Sequence, residues 1–161
     1  MSFLEELALR GIIKKDQIAD ITRRASDQYA GDTDPVLVEM GLPEEELTSL
    51  KSEYYAIPTK RVNPKAVTFD LLKYVPEDSA RHYRFVPIGI NEKVLEIGIV
   101  NPGNIEAMDA LQFIAGNLNI PFKVFIISKS DFDLVLGNYR GITGEVDKAL
   151  GEFENDTSIN T

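Results

Sequence analysis

The sequence contains no cysteine among its 161 residues, which excludes disulfide bonds, thiolate metal sites and cysteine nucleophiles. It also contains no apolar run that approaches the ~18–20 residues needed to cross a bilayer as a helix. The N-terminus, Met1–Glu6, lacks the basic region of an export signal. We therefore expect a protein that is not exported and does not insert directly into a membrane.

Positive charge is scarce as well. Lys and Arg number 17 against 26 Asp and Glu, so the formal net charge is −9. Such a field repels a nucleic-acid backbone, and we expect no nucleic-acid polymer as partner. One basic group consists of Lys14, Lys15, Arg23 and Arg24. It could still attract a small anion or an acidic partner, although a solvated helix face is the commoner explanation for such a group.

Motifs for chemistry are also missing. A P-loop needs a glycine-rich turn followed by Lys-Ser or Lys-Thr, and the segment Gly141-Ile142-Thr143-Gly144 has no such continuation. The single histidine, His82, has no cysteine partners for a zinc site and no nucleophile beside it. The sequence therefore predicts no catalytic residue, no metal site and no cofactor.

The first third of the sequence predicts a small helical lobe. Ser2 and Glu5 have the spacing of a capping box, and Gly11 is suited to end the helix that they begin. The periodicity of apolar residues and the position of prolines and glycines predict four helices, which run from Ser2 to Gly11, from Lys15 to Ala30, from Asp34 to Met40 and onward from Pro43.

A weak internal repeat is visible within this lobe. Each half combines a glycine that ends one helix with apolar residues that begin the next, namely Gly11, Ile12 and Ile18 in the first half and Gly41, Leu42 and Leu47 in the second. Two interpretations stay open at this level: a duplicated helix pair, or chance recurrence of ordinary helix caps.

From Ile57-Pro58 onward the pattern changes to an α/β lobe with a three-stranded sheet built on a β-hairpin. The expected elements are strands Arg84–Ile90 and Lys93–Val100 around the turn Asn91-Glu92, a helix from Asn104 to Gly116, a strand Phe122–Ile127 and a last helix from Ser128 to Tyr139. The fold class is α+β. We expect a helical lobe at 1–57, an α/β lobe at 58–140 and a flexible tail or linker at 141–161.

The α/β lobe contains a series of short motifs in a fixed order. They are Tyr74-Val75-Pro76, Ala80, Phe85-Val86-Pro87, the strand Leu95–Val100 with its Asn101-Pro102 corner, Ala107, Asp109, Gly116 and Tyr139. In this order, over about half of the chain, the lobe resembles the N-terminal domain that precedes the motor in type II secretion and type IV pilus assembly ATPases. Each of these residues has a structural explanation, so the pattern identifies a scaffold rather than a reaction.

The resemblance implies a non-catalytic docking and regulatory domain. Its expected partners are an inner-membrane platform protein of the secretion or pilus machine and the downstream ATPase domain. The parent protein is then an ATPase that lies in the cytoplasm, peripheral to the inner membrane through its partners. The linker at 141–161 leads toward that motor, which is absent from this chain.

In some members of the family the helical lobe binds cyclic-di-GMP through paired repeats that begin Arg-Leu-Gly or Leu-Gly. This resemblance makes Leu7, Gly11, Leu37 and Gly41 the candidate nucleotide-binding residues. At the opening positions the chain has Ser2-Phe3-Leu4 and Asp32-Thr33-Asp34, without the arginine or the glycine. Those departures argue against a dinucleotide site like the one in these family members. Cyclic-di-GMP binding is therefore the alternative function, after docking.

Overall fold

The computed structural model describes residues 1–140 of the chain, so the predicted tail at 141–161 lies outside the described residues. The chain divides into two compact units, Met1–Thr59 and a second unit that begins at Lys60. No helix within the described range is long and apolar enough to cross a membrane.

The first unit is helical and contains all four predicted helices. They are α1 (Phe3–Leu9), α2 (Ile18–Gln28), α3 (Asp34–Glu39) and α4 (Glu44–Tyr55), with a 3-10 turn at Lys15–Gln17 before α2. The Ser2 hydroxyl accepts a hydrogen bond from the Glu5 N–H at 3.2 Å, which confirms the predicted N-cap of α1. The helices enclose an apolar core of Leu7, Ile13, Ile21, Ala25, Val36, Leu37 and Leu47.

The second unit places a three-stranded sheet among helices, which confirms the α+β class. Its elements are α5 (Phe69–Leu72), α6 (Glu77–Tyr83), β1 (Phe85–Asn91), β2 (Val94–Ile99), α7 (Ile105–Leu118), β3 (Phe122–Ile126) and α8 (residues 129–140). The strand order is β1-β2-β3, with β1 and β2 antiparallel and β2 and β3 parallel.

The hairpin between β1 and β2 turns one position later than predicted. Asn91 still pairs with Val94, and the two turn residues are Glu92 and Lys93. Both have positive φ, 52° and 67°. A two-residue hairpin loop of this kind needs left-handed backbone at both positions to match the twist of the strands. The predicted turn Asn91-Glu92 was therefore wrong by one residue.

Helix α7 provides the crossover between the parallel strands β2 and β3. The Asn104 side chain accepts a hydrogen bond from the Ala107 N–H at 3.2 Å, as predicted for its N-cap. The helix does not end at Gly116 but continues to Leu118, and Asn119 adopts the left-handed conformation with φ 53°. Asparagine tolerates this conformation, so it ends the helix in place of the glycine.

Helix α8 is held to the rest of the second unit by a buried phenol. The Tyr139 hydroxyl donates a hydrogen bond to the Val75 carbonyl at 2.8 Å, and the residue is 7% exposed. Burial is the main cause that raises the pKa of Tyr139 above its ordinary value, and the negative charge of Glu77 adds to the effect. The neutral phenol is thus the form that the folded protein prefers.

We expect Tyr139→Phe to lower the free energy of unfolding by about 1–2 kcal/mol near neutral pH, because the Val75 carbonyl loses its donor. The raised pKa means that the folded state holds the phenol proton more tightly, so this contribution is present below the unfolded pKa of about 10 and is lost above it. Urea unfolding of both proteins at a series of pH values measures the difference. A gap that stays constant above about pH 10 would contradict the prediction.

Candidate functional site

The first pair of candidate residues, Leu7 and Gly11, forms the C-terminal cap of α1. The Ile12 N–H donates to the Leu7 carbonyl at 2.9 Å, which is the long-range bond of a Schellman cap. Gly11 has φ +76°, in the left-handed region that glycine adopts without strain. Leu7 is completely buried, while Gly11 is exposed.

The second pair, Leu37 and Gly41, forms the same cap at the end of α3, 30 positions later. The Leu42 N–H donates to the Leu37 carbonyl at 3.1 Å, and Gly41 has φ +106°. Leu37 is also completely buried. The two halves of the helical unit therefore share one local geometry, in which leucine anchors the helix end and glycine turns the chain.

This geometry accounts for all four candidate residues through the fold. The side chains of Leu7 and Leu37 belong to the core, so only the backbone around Gly11 and Gly41 is open at the surface. Exposed glycine backbone permits close approach of a ligand, but it brings no charge to meet a phosphate. Their nucleotide-binding role stays a prediction.

Arginine side chains in the helical unit make ion pairs with carboxylates of their own and of neighbouring helices. Arg10, the C-cap residue of α1, pairs with Glu6 of α1 at 3.1 Å and with Glu53 on α4. The hydrogen bonds to these two carboxylates, that to Glu53 first, raise the pKa of Arg10. Arg24 on α2 pairs with Glu39 on α3 at 2.7 Å. Arg24 belongs to the basic group noted in the sequence, so part of that group's charge is balanced within the unit.

A largely buried ion pair joins Lys51 on α4 to Asp34 on α3. The side chain of Lys51 is 6% exposed and that of Asp34 is 13% exposed. A buried ion is costly unless it is paired, so this contact offsets part of the cost of burying each charge. No motif predicts this pair. The internal repeat did contain a signal that position 51 is buried: the equivalent residue, 30 positions earlier, is Ile21, which is apolar and fully buried.

The second unit presents a different surface on the outer side of α7. Ile105 is 75% exposed and Phe113 is 70% exposed, although both are large and apolar. A shallow cavity of about 470 Å³ adjoins the C-terminal end of this helix, and its lining comprises Gln112, Ala115, Gly116, Asn119, Ile120, Pro121 and Phe122. Large apolar side chains that remain exposed, such as those of Ile105 and Phe113, are typical of a contact surface.

No group of three or more His, Asp or Glu residues between positions 1 and 140 is placed to hold a metal ion. The ring of His82 packs edge-on against Tyr83, with 4.7 Å between the ring centres. The two features that suggest recognition are thus the paired caps of the first unit and the outer face of α7.

Comparison with known proteins identifies the scaffold. The model of the MshEN domain matches residues 54–146, which is more than half of the chain. The chain belongs to the MshEN domain family. The resemblance to the N-terminal domains of secretion and pilus ATPases, inferred above from the order of residues in the α/β lobe, is thereby confirmed.

One curated relative of this MshEN domain is the type IV pilus assembly ATPase PilB of Myxococcus xanthus (strain DK1622). The two are 33% identical over 81 residues, which cover 50% of this chain and 14% of PilB. The chain therefore matches only a small part of that protein's length.

Two solved structures have the same fold. The structure of MshE with cdg matches with a TM-score of 0.67 at 20% identity, covering 86% of this chain and 99% of that one. The N-terminal domain of XpsE matches with a TM-score of 0.62 at 18% identity, covering 84% and 91%. At these identities the likeness shows the fold alone.

We expect Gly41→Ala to lower the free energy of unfolding by about 1–2 kcal/mol, because alanine at φ +106° brings Cβ too close to the following carbonyl. Gly116→Ala is the matched control: this glycine lies inside α7, and a Cβ added there meets no atom within 4 Å. The control should gain about 0.5–1 kcal/mol from helix propensity. Chemical unfolding of the wild type and both variants measures these changes. Equal effects of the two substitutions would contradict the role of Gly41 in the helix cap.

Proposed function

We propose that this MshEN domain is a non-catalytic docking and regulatory module of a type II secretion or type IV pilus assembly ATPase. It binds an inner-membrane platform protein or its own motor domain, and it transmits the state of assembly to the motor. The observation that carries the proposal is the family match over residues 54–146. The likeness of the fold to the isolated N-terminal domain of XpsE supports it.

The organisation of the parent protein belongs to the same proposal. The helical lobe at 1–57 and the α/β lobe at 58–140 precede a linker at 141–161, and the motor follows that linker. The module lies in the cytoplasm and reaches the inner membrane through its partner. Support comes from the PilB match, which covers only 14% of that ATPase.

The outer face of α7 is the surface that we assign to the partner. Ile105 and Phe113 remain largely exposed, while Ala107, Leu111 and Ala115 bury the inner side of the same helix. Phe113 can bury a large apolar area in a complex, and aromatic residues often carry much of the energy of an interface. A partner that covers this face offers an apolar surface with groups that pair with the amide of Gln112.

We expect Phe113→Asp to reduce binding to the cytoplasmic region of the platform protein at least about tenfold, because the substitution puts a charge into an apolar contact. Leu134→Asp is the control, since Leu134 on α8 is 56% exposed and lies outside the assigned surface. Pull-down followed by a quantitative binding assay compares the two variants with the wild type. If the wild type binds the platform protein no more strongly than an unrelated acidic domain does, the docking proposal itself is wrong.

Cyclic-di-GMP sensing is the second candidate function. It is favoured by the likeness of this fold to the structure of MshE with cdg and by the two equivalent caps at Gly11 and Gly41. In this reading the backbone at both turns approaches the ligand. The opening positions of the repeats, where the chain has Leu4 and Asp34, weigh against it.

Calorimetry separates the two candidates. We expect no measurable heat when cyclic-di-GMP is titrated into the chain at concentrations on the order of tens of micromolar. The physical reason is that Asp34 brings negative charge to one opening position and Leu4 brings none. MshE serves as the positive control for the ligand solution. A saturating signal with a 1:1 end point would favour the sensor instead.

A further inference from the structure

The outer edge of β3 has main-chain groups that the sheet does not use. β3 lies at the end of the strand order β1-β2-β3, so only one of its edges has a neighbouring strand. Successive residues of a strand direct their N–H and C=O groups to opposite edges. The Ile127 N–H donates to the Ile99 carbonyl of β2 at 3.1 Å, so the odd-numbered residues of this segment face β2. The main-chain groups of Phe122 and Val124 therefore face away from the sheet.

The chain pairs with only one end of this outer edge. The Lys60 N–H donates to the Ile126 carbonyl at 3.2 Å, at the C-terminal end of β3. Among residues 1–140, no hydrogen bond reaches the outward main-chain groups of Phe122 or Val124. Unpaired groups along an edge strand are a template for the addition of a further strand. The open part of the edge runs from Phe122 to Val124.

The two faces of the sheet beside this open edge differ in chemistry. Phe122 and Val124 pack against the apolar core, and Phe122 also lines the cavity at the C-terminal end of α7. Lys123 and Phe125 lie on the other face, since side chains alternate along a strand. The Lys123 ammonium lies 5.1 Å from the centre of the Phe125 ring and has no carboxylate partner within the described residues. A strand beside β3 thus meets one apolar side and one cationic side.

We infer that an extended segment of a partner protein adds to this edge as a fourth strand. Its main chain pairs with Phe122 and Val124, its apolar residues lie on the side of α7, and a glutamate or aspartate lies opposite Lys123. Main-chain hydrogen bonds give such a contact its affinity, and the alternating side chains give it specificity. The inference rests on the proposed function, because the segment belongs to the protein that the module docks.

The charge of this edge favours an acidic partner over a second copy of the chain. The Lys60 ammonium also lies 5.1 Å from the Phe125 ring and pairs with the Glu96 carboxylate at 2.7 Å. Two β3 edges that pair with each other bring Lys123 of both copies to the same face. Like charges on paired strands are destabilising, and lysine on an edge strand opposes such pairing. A carboxylate on the added strand instead meets an opposite charge.

The test titrates the full chain with a synthetic peptide of about seven residues that alternates valine with glutamate. A peptide with lysine in place of glutamate is the control ligand, and NMR follows both binding and amide hydrogen exchange. We expect the glutamate peptide to bind with a Kd of about 1 mM or tighter, and at saturation to slow exchange of the Phe122 and Val124 amides about tenfold. The lysine peptide should bind at least about fivefold more weakly, because its charge repels Lys123.

Two pairs of variants separate main-chain pairing from charge. Val124→Pro removes the N–H at the open edge, whereas Val124→Ala keeps it and also shortens the side chain. We expect the proline variant to bind the glutamate peptide at least about fivefold more weakly than the alanine variant does. Lys123→Glu should reverse the preference between the two peptides. Lys65→Glu, the same change at an exposed lysine outside the sheet, should leave that preference unchanged.

Four results would overturn the inference. They are no binding of the glutamate peptide at about 5 mM, equal binding of both peptides by the wild type, slowed exchange that leaves Phe122 and Val124 unaffected, and a wild-type dimer that protects these two amides without peptide. If Val124→Pro does not fold, the reversal expected of Lys123→Glu decides. No platform protein enters this experiment, so the docking proposal and this inference can fail separately.

Discussion

The parallel pairing of β2 with β3 is the constraint on which the second unit depends. Two parallel strands cannot be joined by a tight turn, so the chain must cross the sheet before it returns, and α7 makes that crossing. The crossing buries Ala107 and Leu111 in the same cluster as the apolar residues of β2, and Ala115 on the same helix is buried as well. The opposite side of the helix faces solvent, and Phe113 is exposed there as a consequence of the topology.

The helical unit depends on a different device, the repeated leucine–glycine cap. A buried leucine anchors each helix end, and a glycine with positive φ reverses the chain into the next helix. Equivalent caps do not make the two halves equivalent in chemistry. Lys51 and Asp34 place a buried ion pair where the first half is apolar, so the halves differ in charge while they share a backbone geometry.

Local patterns predicted much of the architecture. The four helices of the first unit, the caps at Ser2 and Asn104 and the β1–β2 hairpin depend largely on contacts within a few residues, which is why their signals are readable in the chain. The strand β3 was also predicted from its local pattern, although its pairing with β2 joins segments that are distant in sequence. The errors concern where a turn or a helix end falls, because neighbouring residues can adopt the same backbone conformation. Glu92-Lys93 formed the turn instead of Asn91-Glu92, and Asn119 ended α7 in place of Gly116.

The sequence by itself determined the α+β class, the family and the positions of Leu7, Gly11, Leu37 and Gly41, because periodicity and glycine placement act over short distances. The predicted role of the two glycines as helix ends is confirmed by their positive φ, whereas only the tertiary structure showed that both leucines are completely buried in the core. It also decided that Lys51 is buried against Asp34 and that Phe113 is exposed. Burial depends on segments distant in sequence, and the free-energy cost of a charge depends on whether its surroundings bury it or leave it in water.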